Sequence, residues 1–140
     1  MSCCRQHLVL KNGDAKIIKN AGGVITHPFG SVVRSLLIAI YELGVEEILV
    51  IGHTDCGVQH MDAENLLENM RKRGISNNAI ESLRYCGIDF DRWLEGFDDG
   101  CVSVAKSVEL LKKHPLIPKD VRIYGFMMDS TSGKLSSVSE

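Results

Sequence analysis

The sequence predicts an α/β protein whose mainly parallel β-sheet is flanked by helices, and three features of its patterning support this. The run Ile48-Leu49-Val50-Ile51 is short, β-branched and apolar on both faces, as in a strand buried between two helical layers. Ahead of it, residues 31–43 repeat apolar side chains at helical spacing. A second helical pattern, running to Lys113, precedes another strand at Val121-Arg-Ile-Tyr-Gly-Phe-Met127. Strands that alternate with helices pair in parallel through crossovers.

The bulk numbers narrow the class. At 140 residues the chain fits one domain, 1–140, with enough material for a sizeable core. Hydrophobic residues at 44% and charged residues at 24% are those of an ordinary soluble globular protein. A net charge of −2 with mixed signs gives no reason to expect a nucleic-acid partner. No apolar run approaches the ~20 residues needed to span a bilayer and no signal peptide is visible, so no membrane partner is expected. Cys3, Cys4, Cys56, Cys86 and Cys101 are odd in number and lack a disulfide-framework spacing. Reduced thiols in a cytoplasm are the expectation.

Taken in order, residues 1–12 read as an irregular terminus, where Cys3-Cys4 with His7 is either a metal-binding tip or a set of incidental thiols. Gly13-Asp14 marks a turn and Ala15–Lys19 a short strand, ended by Asn20-Ala-Gly22-Gly23. Paired glycines permit a sharp turn or a close backbone approach. A phosphate loop would need a longer glycine pattern. Residues 26–30 form a loop in which Phe29 either lines an apolar pocket or anchors the core.

Ser31 is the expected N-cap of a helix closed by Gly44, with Val32, Val33, Leu36, Leu37, Ile40 and Leu43 inward. Strand, helix and strand then make one right-handed crossover. Asp62 caps a helix through Arg73, and Ser76 begins a short one to about Tyr85. Residues 86–97 read as a loop anchored by Phe90, Trp93 and Phe97. Asp98 or Asp99 opens the next helix, with Val102, Ala105, Val108 and Leu110 or Leu111 inward. Lys112, Lys113 and His114 lie where the helix dipole favours cations, and Pro115 and Pro118 stop it. Asp129-Ser-Thr-Ser-Gly133 turns into a final strand at Lys134-Leu135. Cys86 and Cys101 read as buried small hydrophobes, and His27 and His60 as loop residues.

His53 and Cys56 follow the strand Glu47–His53 at its carboxyl end, where open α/β sheets place their ligands. An imidazole nitrogen and a thiolate three positions apart on a strand-to-loop turn can share one metal ion, and zinc suits them best. Gly57 then lets the backbone turn. Two donors are half a site, and the plainer alternative is a core histidine beside a buried thiol.

The stretch from Gly13-Asp14-Ala15 to Asn20-Ala21-Gly22, followed by His53-Thr-Asp-Cys56-Gly57, resembles the β-class carbonic anhydrases, above all the small prokaryotic type. Arg34-Ser35 in the intervening helix and His114-Pro115-Leu-Ile-Pro118 before the strand with Gly125 agree; the resemblance covers roughly residues 8–135. It implies zinc held by two cysteines and one histidine, with a water of lowered pKa in the fourth position. Hydroxide then attacks CO2 and gives bicarbonate. It assigns His53 and Cys56 as two of the three protein ligands. It also implies a homodimer or higher homo-oligomer, and an apolar CO2 pocket for which Asn20, Gly22, Phe29 and Gly57 are candidates.

The family's first motif, Cys-x-Asp-x-Arg, supplies the remaining cysteine and an Asp–Arg dyad that gates the open zinc position. Residues 1–12 do not spell it, so the chain reads as a member lacking that motif and the first, central strand. Catalytic residues are therefore unassigned, and Cys3, Cys4 and Asp55 are the candidates for a substitute ligand, beside a partner chain. Ala15–Lys19 and Glu47–His53 would then either pair directly or leave backbone groups unpaired. The first function reading is zinc-dependent reversible hydration of CO2, impaired by loss of the first motif. The alternative is a non-catalytic, site-degenerate dimeric α/β module. A third possibility is the same site acting on another heterocumulene such as carbonyl sulphide.

Overall fold

The computed structural model describes residues 9–138, so Cys3, Cys4 and His7 lie outside the described residues. The chain gathers into two compact units, one formed by Gly57–Asp98 and the other by the remainder.

The larger unit is built on a three-stranded sheet in the order β1 (Glu47–His53), β2 (Arg122–Met128), β3 (Leu135–Ser137). β1 and β2 are parallel, with Glu47 opposite Arg122 and His53 opposite Met128; β2 and β3 are antiparallel. Helices α1 (Ser31–Leu43) and α5 (Gly100–Lys113) pack on this sheet. Ile48, Val50 and Ile123 share one core with Val33 and Ile40 of α1, with Val104, Val108 and Leu111 of α5, and with Ile117. Each such side chain removed from water contributes about 1.5–3 kcal/mol. The α/β class is as the sequence predicts.

Several local expectations are corrected. β1 alternates instead of being buried on both faces: Ile48 and Val50 point into the core, while Leu49 is 43% exposed. Both helices feed the Ile48/Val50 face, so the apolar residue at 49 does not report burial. Residues 15–19 form no strand, because the only strand hydrogen-bonded to β1 among the described residues is β2. α1 is capped by Gly30, with no side-chain bond; Ser31 is already helical, and Leu43 is exposed. In α5 the inward stripe is Val104, Ser107, Val108 and Leu111, leaving Val102 49% exposed. The apolar residues three apart at 102, 105 and 108 drift off the 3.6-residue period. The buried face includes a polar residue because the Ser107 hydroxyl accepts the Ile25 N–H at 3.4 Å. Cys86 and Cys101 are exposed, one capping a helix C-terminus and the other in a first turn.

The smaller unit holds α2 (Ala63–Lys72), α3 (Asn77–Tyr85) and α4 (Phe90–Leu94), the last a single turn within the stretch expected to be loop. Side chains of Asp62, Ser76 and Asp89 cap the three, each cap contributing about 1 kcal/mol. Leu67, Ile80 and Phe90 form the core, with Met70 and Leu94 against it. The ends of this unit are drawn together where the His60 N–H donates to the Phe97 carbonyl at 2.8 Å and that of Gly96 to Met61 at 3.0 Å. Among the described residues no helix is long and apolar enough to cross a membrane.

Candidate metal centre

The approach to His53 is fixed by Gly52. A Cβ there would lie 2.8 Å from both Met127 Sδ and Val104 Cγ2, so α5 and β2 close directly on the strand's last turn of backbone. His53 ends β1, and its ring is oriented by its own successor. Nδ1 lies 2.8 Å from the Thr54 carbonyl oxygen. A carbonyl only accepts, so Nδ1 carries the proton, and in the neutral ring Nε2 is the nitrogen left for a ligand.

Thr54 is itself held on two further sides. Its N–H donates to the Met128 carbonyl at 3.0 Å, and its Oγ1 accepts the Ser130 N–H at 2.9 Å. Oγ1 also lies 3.1 Å from Ser130 Oγ. Asp55 then takes a φ of 55°, the left-handed region that side chains other than glycine seldom adopt. This turns the chain before Cys56, a half-buried residue that forms no disulfide among the described residues. The Asp55 carboxylate accepts from Ser130 Oγ at 3.4 Å. Ser130 is placed by the turn between β2 and β3. There Asp129 Oδ1 accepts the N–H groups of Thr131 at 2.9 Å and Ser132 at 2.7 Å, and the Ser132 hydroxyl at 3.1 Å. These bonds, led by the Ser132 N–H, hold the Asp129 carboxyl below the usual carboxylate range.

The paired glycines do make a close approach, to the strand that carries His53. Gly22 and Gly23 have φ of 77° and 64°, and a Cβ on Gly23 would sit 3.2 Å from the Ile51 carbonyl oxygen. Asn20 Nδ2 donates to the Val24 carbonyl at 2.7 Å and pins this loop. Phe29 is 65% exposed and tilts over the His114 ring, with centroids 5.1 Å apart. His114 is 2% exposed: Nδ1 accepts the Leu116 N–H at 3.2 Å, so Nε2 carries the proton and donates to the Pro28 carbonyl at 2.7 Å. That ring is a neutral fastener, a role that reading it as a helix-end cation missed. Gly57 opens the smaller unit with nothing within 4 Å of a notional Cβ. Two clefts of about 410 and 470 Å³ lie at the amino ends of the strands, around Pro118, Val121 and Arg122, and not at the His53 end.

His53 and Cys56 thus carry the nitrogen and sulfur that zinc prefers, with Nδ1 of the histidine already engaged by the Thr54 carbonyl. Among the described residues no group of three or more His, Cys, Asp or Glu could hold a metal ion. Asp55 is turned to Ser130, and Cys3 and Cys4 lie outside the described residues. By their chemistry an imidazole nitrogen and a thiolate suit zinc, and a structural or catalytic zinc site takes at least three protein ligands. Thr54, Ser130 and Asp129 escaped the reading of the sequence. The Asp-Ser-Thr-Ser-Gly signal marked a turn without saying which loop that turn would meet.

These features define an α/β protein with paired soft donors at the carboxyl end of a parallel strand. A family model described as carbonic anhydrase matches residues 4–135, and the chain belongs to the β-carbonic anhydrase family. The "Putative carbonic anhydrase YtiB" of Bacillus subtilis (strain 168) is 47% identical over 129 residues, covering 92% of this chain and 69% of that protein. The carbon disulfide hydrolase of Saccharolobus solfataricus is 34% identical, over 91% of this chain and 67% of its own length. Among solved structures, β-carbonic anhydrase isoform I of Trichomonas vaginalis superposes with a TM-score of 0.87 at 34% identity. That match covers 96% of this chain and 73% of the other.

Proposed function

We propose that this chain holds zinc through His53 Nε2 and Cys56 Sγ and catalyses the reversible hydration of carbon dioxide to bicarbonate. The observation that carries the reading is the His53–Thr54 bond, which leaves Nε2 as the available donor at the end of β1. Bound zinc supplies the Lewis acidity that makes a hydroxide nucleophile available near neutral pH. The protein's own part is to present the imidazole in one tautomer and to bring Cys56 back through the left-handed turn at Asp55. The third ligand comes from Cys3, Cys4 or a second chain, because a two-ligand site binds zinc weakly. The chain acts as a homodimer or higher homo-oligomer in the cytoplasm. The family match runs through both compact units, which supports one functional domain.

Metal analysis and stopped-flow hydration test this directly. Wild-type protein should carry close to one zinc per chain, and His53→Ala should lose both the metal and at least ~100-fold of the hydration rate. An unchanged rate in that variant would remove the assignment. The presence of only two donors among the described residues favours a second reading, a non-catalytic module. Zinc near zero per chain, with the fold intact, would establish it. Because some relatives are named carbon disulfide hydrolases, carbonyl sulphide and carbon disulfide belong in the same assay.

A further inference from the structure

Thr54 has every polar group engaged. Its carbonyl accepts from His53 Nδ1, its N–H donates to Met128, and its hydroxyl oxygen accepts the Ser130 N–H. Ser130 adds its own hydroxyl, 3.1 Å from Thr54 Oγ1 and 3.4 Å from Asp55 Oδ2. The two residues between the donors, Thr54 and Asp55, are therefore braced by one turn far away in the chain, and that turn is locked internally by Asp129. A residue held only for stability would not need its backbone carbonyl aimed at the imidazole. Nor would the strained residue in this stretch need to be the one sitting between the two donors.

We infer that Thr54 and Ser130 are positioning residues for the metal site: Ser130 fixes the Thr54 peptide, and the Thr54 carbonyl fixes the tautomer and direction of the His53 ring. The inference rests on the proposed zinc reading. Groups one bond removed from a metal ligand change metal affinity by about 10–100-fold when lost. Free imidazole in water has no such restraint on its tautomer, so the constraint on Nδ1 is the property that Thr54 supplies.

Thr54→Val removes the hydroxyl acceptor and keeps the branched shape, whereas Thr54→Ser keeps the acceptor. Long-range ¹H–¹⁵N correlation spectra of the metal-free full chain report the His53 tautomer. Wild type and Thr54→Ser should show the Nδ1–H form, and Thr54→Val a mixture with Nε2–H. Titration with Co²⁺ should show affinity weakened about 10–100-fold in Thr54→Val and within a few-fold of wild type in Thr54→Ser. Should Thr54→Val fail to fold, Ser130→Ala carries the test, since it removes the two hydroxyl contacts while the backbone N–H bond stays; a several-fold weakening is expected. An unchanged tautomer and unchanged Co²⁺ affinity overturn the positioning role, whatever happens to the melting temperature. A wild-type chain that takes up no Co²⁺ overturns the zinc reading as well, and so separates the two failures.

Discussion

At the scale of single residues, His114 shows how a titratable side chain can serve as a neutral peg. Both ring nitrogens are bonded, one to the Pro28 carbonyl and one to the Leu116 N–H, and the ring lies under Phe29. His114→Ala would orphan both groups and open a cavity, a combined cost of about 3 kcal/mol. Urea denaturation should register this as a lower midpoint with an unchanged slope. A variant within ~0.5 kcal/mol of wild type would contradict the role. The histidine's place at the end of α5 was legible from Lys112-Lys113-His114-Pro115. Its partner was not, because Pro28 is distant in sequence and meets it only through tertiary packing. His53 and Cys56 were legible for the opposite reason: their spacing and the apolar strand before them are both local.

At the scale of elements, the turn between β2 and β3 is a small electrostatic device. Asp129 is held below the ordinary carboxylate range by the Ser132 and Thr131 donors, so its stabilising effect is complete above that range. The effect fades as the pH falls through the lowered folded-state value. Asp129→Ala should therefore lower the melting temperature at pH 7, and the gap from wild type should narrow as the pH is brought well below about 4. Melting curves across that interval check this; a gap of constant size would exclude the carboxylate as its source. Helix positions were legible because Asp62, Ser76, Asp99, Gly44 and the prolines punctuate the chain. Helix faces were less so. In α5 the apolar residues at 102 and 105 suggested one stripe, while the core selected Val104, Ser107, Val108 and Leu111. Leu49 misled in the same way, since an apolar letter in a strand does not say whether anything covers it.

At the scale of the whole molecule, the two compact units have unequal interiors. Gly57–Asp98 is centred on Leu67, Ile80 and Phe90, whereas the larger unit has a core fed by two helices and two strands. Hydrogen exchange should reflect this: amides of α3 and α4 should exchange faster than those of β1, β2 and α5. Equal protection throughout would show instead that both units open only together. The α/β class could be read from the alternation of patterns, but the sheet's extent among the described residues could not, because Ala15–Lys19 has strand-like residues and joins no ladder there. The parallel pairing of Glu47 with Arg122 and of His53 with Met128 carries one more consequence. During synthesis on the ribosome β1 emerges long before its partner exists, so Ile48, Leu49, Val50 and Ile51 must wait in the nascent chain. Throughout that delay they are a natural target for chaperones, and the wait ends once residues 122–128 have been made and can pair with them.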